Sequence, residues 1–102
     1  MVYNVIVSKE AYADLNDASI WYDSQSPNLG LDFVLELFEE ISHLSQFASI
    51  HAFVEKPIRK KLMNRFPYGI YYSVIEERKE VLIEAVWHQK RNPNQLRKRL
   101  KI

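Results

Sequence analysis

Two apolar runs, Ile70 to Ile75 and Val81 to Trp87, stand on either side of the charged block Glu76-Glu77-Arg78-Lys79-Glu80. Runs of that length joined by a polar reverse turn predict two antiparallel strands, and a chain of this size must place its core against them. Ile58 alternates with Arg59 and Lys61 up to Met63, which predicts a further strand ahead of the pair. Arg65-Phe66-Pro67-Tyr68 is the turn between them, because proline fixes its own backbone and holds Phe66 extended. Basic and titratable side chains flank the pair. Arg59, Lys60, Lys61 and Arg65 precede it, and His88, Lys90 and Arg91 follow it. The expectation is a sheet whose rim carries all of them as one active surface.

The first half has a different character. Tyr3, Val5 and Val7 alternate with Val2, Asn4 and Ile6 as a first strand. Ser8 is placed to cap a helix running from Lys9 to about Ser24, with Ala11, Leu15, Ala18 and Tyr22 on its apolar side and Asp14, Asp17 and Asp23 left to water. Ser26-Pro27 predicts the cap and first residue of a second helix ending near Phe47. Phe33, Val34, Leu37, Ile41 and Leu44 form its stripe, while Asp32, Glu36, Glu39 and Glu40 face outward. Between residues 48 and 57 the pattern is mixed: Ala52 to Val54 could extend a strand, and Pro57 argues against it. Near the end, Asn92-Pro93 predicts the start of a short basic helix reaching Ile102. The order is β-α-α-β-β-β-α, an α+β domain over 1–102 with a helical hairpin packed on a mostly antiparallel four-stranded sheet.

Charge is divided along the chain. Residues 1–50 hold one basic residue, Lys9, against eight acids, a balance of −7. Residues 51–102 hold thirteen basic residues against five acids, a balance of +8. Such segregation suggests a polyanion at one face or two partners; the plainer alternative is that acidic helices happen to precede a basic sheet. There is no cysteine, so no disulfide framework and no thiolate metal site is expected. His43, His51 and His88 lack ligand spacing, so no metal or other cofactor is expected either. With no basic leader and no apolar run near the ~20 residues of a membrane span, the expected location is the cytoplasm.

The order of elements, together with the Ala11 to Leu15 helix start, Trp21-Tyr22, Leu29-Gly30 with Phe33, Ile58-Arg59, Arg65-Phe66-Pro67-Tyr68, Tyr72, and Val86-Trp87-His88 followed by Arg91-Asn92-Pro93, resembles the RelE/ParE superfamily of type II toxin–antitoxin toxins, which includes plasmid stabilisation proteins. The resemblance implies a growth inhibitor neutralised by a cognate antitoxin, as a homodimer or in a toxin–antitoxin hetero-oligomer. An antitoxin would bind with an extended segment and a helix, on the sheet's flank or on the helical hairpin. RelE-like members cleave messenger RNA on the ribosome; ParE-like members act on DNA gyrase.

Metal-free RNA cleavage needs a base for the 2′-hydroxyl, an acid for the leaving oxygen and cations for the phosphorane. His88 is the natural titrating group, since histidine ordinarily titrates near pH 6.5. Arg59, Arg65 and Arg91 are natural phosphate clamps, Tyr68 a stacking or proton-donating group, and Lys60, Lys61 and Lys90 supporting cations for nucleic acid. The structural alternatives are a surface role for His88, a pairing of Arg59 with Glu84, and packing for Tyr71 and Tyr72. One departure matters. Ribonuclease members carry an arginine where this chain has Gly69, and losing one transition-state donor costs ~10²–10³ in rate. The expectation therefore favours a ParE-like toxin over a RelE-like endoribonuclease, with an eroded antitoxin- or RNA-binding module as the alternative.

Overall fold

The computed structural model describes residues 2–102. Met1, the first residue of the domain expected over 1–102, lies outside them. The elements are β1 (Asn4–Val7), α1 (Lys9–Gln25), α2 (Leu29–Phe47), β2 (Phe53–Glu55), β3 (Ile58–Leu62), β4 (Tyr68–Ile75), β5 (Glu80–His88) and α3 (Pro93–Leu100). They build one sheet in the order β1-β5-β4-β3-β2. β1 runs parallel to β5, and the other neighbours are antiparallel. The α+β class and the mostly antiparallel sheet match expectation, with five strands in place of four. The addition is β2, three residues pairing with Ile58 and Arg59 at the sheet's margin.

The hairpin of α1 and α2 covers one face. Ala11, Leu15, Phe33, Leu37 and Leu44 meet Ile70, Tyr72, Val81 and Ile83 in the main core. α3 covers part of the other face, where Leu96 and Leu100 close over Ile58, Tyr71, Ala85 and Trp87. A bulge makes this division possible. Tyr71 pairs with Ala85 and Tyr72 with Ile83, so Glu84 is an extra residue, and both Ile83 and Val86 reach the helical face. The Tyr72 hydroxyl donates to the Ala48 carbonyl at 2.7 Å, and burial pushes its pKa up to about 12.

Local signals hold at two helix starts. The Ser8 hydroxyl accepts the Ala11 N–H at 3.1 Å, and the Asn92 side chain accepts the Asn94 N–H at 2.9 Å ahead of Pro93. At α2 the expectation fails. Ser26 ends α1, its N–H donating to the Tyr22 carbonyl, and Asn28 reverses the chain in a left-handed conformation at φ 67°. Asp23 takes over as cap, accepting the Gly30 N–H at 2.8 Å from the preceding helix. Gly30 is required there: a Cβ would lie 2.2 Å from the Ser19 carbonyl oxygen. Among the described residues no helix is long and apolar enough to cross a membrane.

The charge segregation is met in part within the molecule. Lys61 pairs with Glu40, Arg65 with Asp32 at 3.3 Å, and Arg99 with Asp14, each joining the basic half to the acidic half. Glu40 and Asp14 are therefore buried, not turned to water. A carboxylate on a helix facing a basic sheet is desolvated only with such a partner.

Candidate functional site

At the end of the sheet where β4 begins and β5 finishes, Tyr68 stands directly opposite His88. Their rings meet edge-on, with centroids 5.1 Å apart. Together with Asp14, Asp17, Ala18 and Trp21 from α1, and with Val86 and Arg91, they line a cavity of about 260 Å³. Val86 and His88 lie two apart on β5, so they share a face; Arg91 follows a short turn in which its N–H donates to the His88 carbonyl at 3.0 Å.

The geometry sets the state of each group. The Lys90 N–H donates to His88 Nδ1 at 3.0 Å, so a neutral His88 keeps its proton on Nε2. That nitrogen is then a donor. Tyr68 packs against Tyr22 and Phe33, which in turn meet Phe66. Its pKa is raised, mostly by burial and next by Tyr22, against a lowering from Arg91, so its phenol also stays a donor. The Arg91 guanidinium lies 3.6 Å from the centre of the Trp87 ring, a stacking that orients it without consuming its hydrogen bonds. The cavity thus pairs a ring N–H, a phenol and one guanidinium with the Asp14 and Asp17 carboxylates.

Asp14 is the residue whose importance its acidity conceals, since its spacing from Ala11 and Ala18 is that of the buried stripe. β1 ends at Val7, opposite Ile83, leaving the edge of β5 beyond it without a strand. Asp14 fills that gap: Oδ2 accepts the Val86 N–H at 3.0 Å, and the carboxylate holds Arg99 through both of its oxygens. It thereby ties α1, β5 and α3 together beneath the cavity. In the sequence, exposed Trp21 beside it is marked only by the Trp21-Tyr22 pair of the resemblance.

The other expected site residues lie elsewhere. Arg59 is opposite Tyr72, four residues along β4 from Tyr68, or about 13 Å. Its Nη1 donates to the His51 carbonyl at 2.6 Å and its guanidinium sits 3.9 Å over the Phe53 ring. It does not pair with Glu84, because β4 lies between their strands. Arg65 is drawn toward α2, where Glu36 accepts the N–H groups of Asn64 and Arg65 and Asp32 takes the guanidinium. Lys61 is engaged by Glu40, and Lys60 lies on the opposite face, 5.6 Å from the Tyr71 ring centre. Lys90 is exposed beyond His88. The single rim expected from the sequence is therefore divided: Tyr68, His88 and Arg91 gather, whereas Arg59 and Arg65 stand apart from them. Strand register and α2 together cause the division. Position 69 also faces away, since a Cβ there would meet Gln89 at 2.8 Å and Tyr71 at 3.0 Å.

No protein-family model matches the chain, and no curated protein does. Solved structures do. A chain of the chromosomal ParDE TA system from P. aeruginosa is similar over 85% of this chain and 96% of its own, at 22% identity and a TM-score of 0.75. A chain of the toxin–antitoxin complex RelBE2 from Mycobacterium tuberculosis is similar over 87% of this chain and all of its own, at 18% identity and a TM-score of 0.56. The protein has the fold of the RelE/ParE superfamily.

Proposed function

We propose that this chain is the toxin of a type II toxin–antitoxin module, a cytoplasmic growth inhibitor held inactive by a cognate antitoxin, and that its target is DNA gyrase. The toxin role is supported by the fold, which the chain shares with proteins solved as toxin–antitoxin systems. One observation carries the choice of target: among the described residues, Arg91 is the one arginine or lysine lining the Tyr68 and His88 cavity. Cleaving RNA without a metal requires several cations converging on the phosphorane, each worth ~10²–10³ in rate. Here Arg59 is held by the His51 carbonyl and Lys61 by Glu40, Arg65 reaches toward Asp32 in an exposed pair, and Gly69 supplies no cation. Asp17 in the same cavity would repel a phosphate, whereas the charge of Asp14 is answered by Arg99. A binding site for a protein target fits this arrangement better than a site for phosphodiester cleavage. The same scarcity of cations favours a second reading, a module that has lost its chemistry and retains antitoxin binding alone.

Induced expression in the absence of any partner separates the two. The toxin reading expects growth arrest that weakens when Arg91→Ala and Trp21→Ala remove exposed groups of the cavity. Unimpaired growth at full soluble expression would leave only the binding module.

A further inference from the structure

The pairs between the two halves leave cations over, and these gather on the face of the sheet that α3 covers. Residues 85–102 hold six lysines and arginines and no aspartate or glutamate. Arg99 is taken by Asp14, and Arg97 by Glu55 in an exposed pair at 3.0 Å that contributes little. Among the described residues no carboxylate pairs with Lys60, Lys90, Arg91 or Lys98. The fold brings these four to one surface. Leu96 and Leu100 face the sheet, so Lys98 between them points outward. Arg91 lies on Trp87, which packs with those leucines. Lys60 shares the face of Ile58 and reaches the segment after β5 over Gly69, where a Cβ would lie 2.8 Å from Gln89 Nε2 and 3.4 Å from Lys60 Cε. Residues 89–95 and Lys98 are all exposed, with Gln89, Asn92, Asn94 and Gln95 set among the cations. Leu62 stands at the margin of this face, and no large apolar side chain described after it is exposed.

We propose that this strip binds the phosphate backbone of duplex DNA without regard to sequence, while the cavity at its Arg91 end holds the protein target. The inference rests on the gyrase reading above: gyrase works on a DNA duplex, and Arg91 belongs to both surfaces. Composition selects the occupant. Protein interfaces centre on aromatic or aliphatic anchors, and membrane contacts insert apolar side chains; the strip offers neither. Single strands stack their bases on exposed rings, and the rings of this face, Tyr71 and Trp87, are buried. What is left is a row of flexible cations and side-chain amides, the groups that bond the regular phosphates of a double helix. The eight residues of α3 extend about 12 Å, the axial rise of about three to four nucleotides of one strand.

The test is the fluorescence anisotropy of a labelled DNA duplex titrated with the full chain at about 50 mM and about 200 mM salt. Four phosphate contacts predict an affinity that falls about 100-fold between the two. Combining Lys60→Gln with Lys98→Gln should shrink that fall to about tenfold, and equally for duplexes of different sequence. Arg78→Gln, on the turn between β4 and β5, should keep the salt dependence of the parent. The parent's own salt dependence is a readout that needs no variant to fold. No binding at the lower salt, or the same fall in the double variant as in the parent, overturns the strip and leaves the gyrase reading standing. So does tighter binding of single-stranded DNA or of duplex RNA. Self-association of the free chain at low salt that the double substitution abolishes makes the occupant the acidic hairpin of a second copy, and overturns the proposal. DNA binding with the expected salt dependence, by a chain that leaves gyrase supercoiling untouched, upholds the strip and overturns the gyrase reading alone.

Discussion

Replacing Asp14 with alanine removes three hydrogen bonds at the junction of α1, β5 and α3. Asp14 is 8% exposed, and it accepts the Val86 N–H where β1 has ended. With the carboxylate gone, that N–H is buried without an acceptor, at a cost of roughly 1–3 kcal/mol. Arg99 also loses its partner. Its side chain is 25% exposed, so solvent recovers part of that loss and about 1 kcal/mol remains. Asp14→Ala should therefore destabilise the fold by about 3 kcal/mol, a fall of about 15 °C in Tm at this chain length. Asp14→Asn keeps an oxygen for Val86 and should lose only about 1 kcal/mol. Urea unfolding followed by circular dichroism measures both, and a double-mutant cycle with Arg99→Ala should give a coupling of about 1 kcal/mol. An alanine variant within about 0.5 kcal/mol of the parent would refute the reasoning. So would an asparagine variant as unstable as the alanine one.

Three further outcomes follow from the same structure. Gly30→Ala drives a Cβ against the Ser19 carbonyl, 2.2 Å away, and should cost about 2–3 kcal/mol by prising α2 from α1, read as a lowered urea midpoint. Tyr72→Phe leaves the buried Ala48 carbonyl without its donor and should cost about 1–2 kcal/mol; spectrophotometric titration of the parent should find one phenol ionising only near pH 12. Burial, then Lys61 and His43, with Glu40 opposing, holds His51 below its ordinary pKa. The unfolded chain, titrating near 6.5, takes up that proton first as pH falls. The His51 contribution is thus complete above about pH 7 and is lost as pH drops through about 6.5 toward the lower folded value, and His51→Gln should flatten that slope in urea midpoints.

Much of the fold was legible because its signals are local. The apolar runs around Glu76 to Glu80 declared the β4–β5 hairpin, and Ser8 and Asn92 declared two helix starts by side-chain chemistry alone. β2 was not legible. Three residues are too few to show a period, and β2 exists only by pairing with the start of β3. The α2 cap was missed because its acceptor, Asp23, belongs to the preceding helix. The site was half legible. Residue types pointed to Tyr68, His88 and Arg91, but which face a strand residue takes depends on register and on the bulge at Glu84. Neither leaves a mark in composition. Asp14 shows the limit most sharply: its spacing from Ala11 and Ala18 places it on the edge of the apolar stripe, its acidity assigns it to water, and its burial is decided by Val86, far along the chain.

The most direct test of the account sets two assays of the purified chain side by side. One follows DNA supercoiling by gyrase, and the other follows intact messenger RNA in a translating extract. Supercoiling should stop while the messenger stays whole. Cleavage of messenger RNA only when ribosomes are present, with gyrase unaffected, would contradict it.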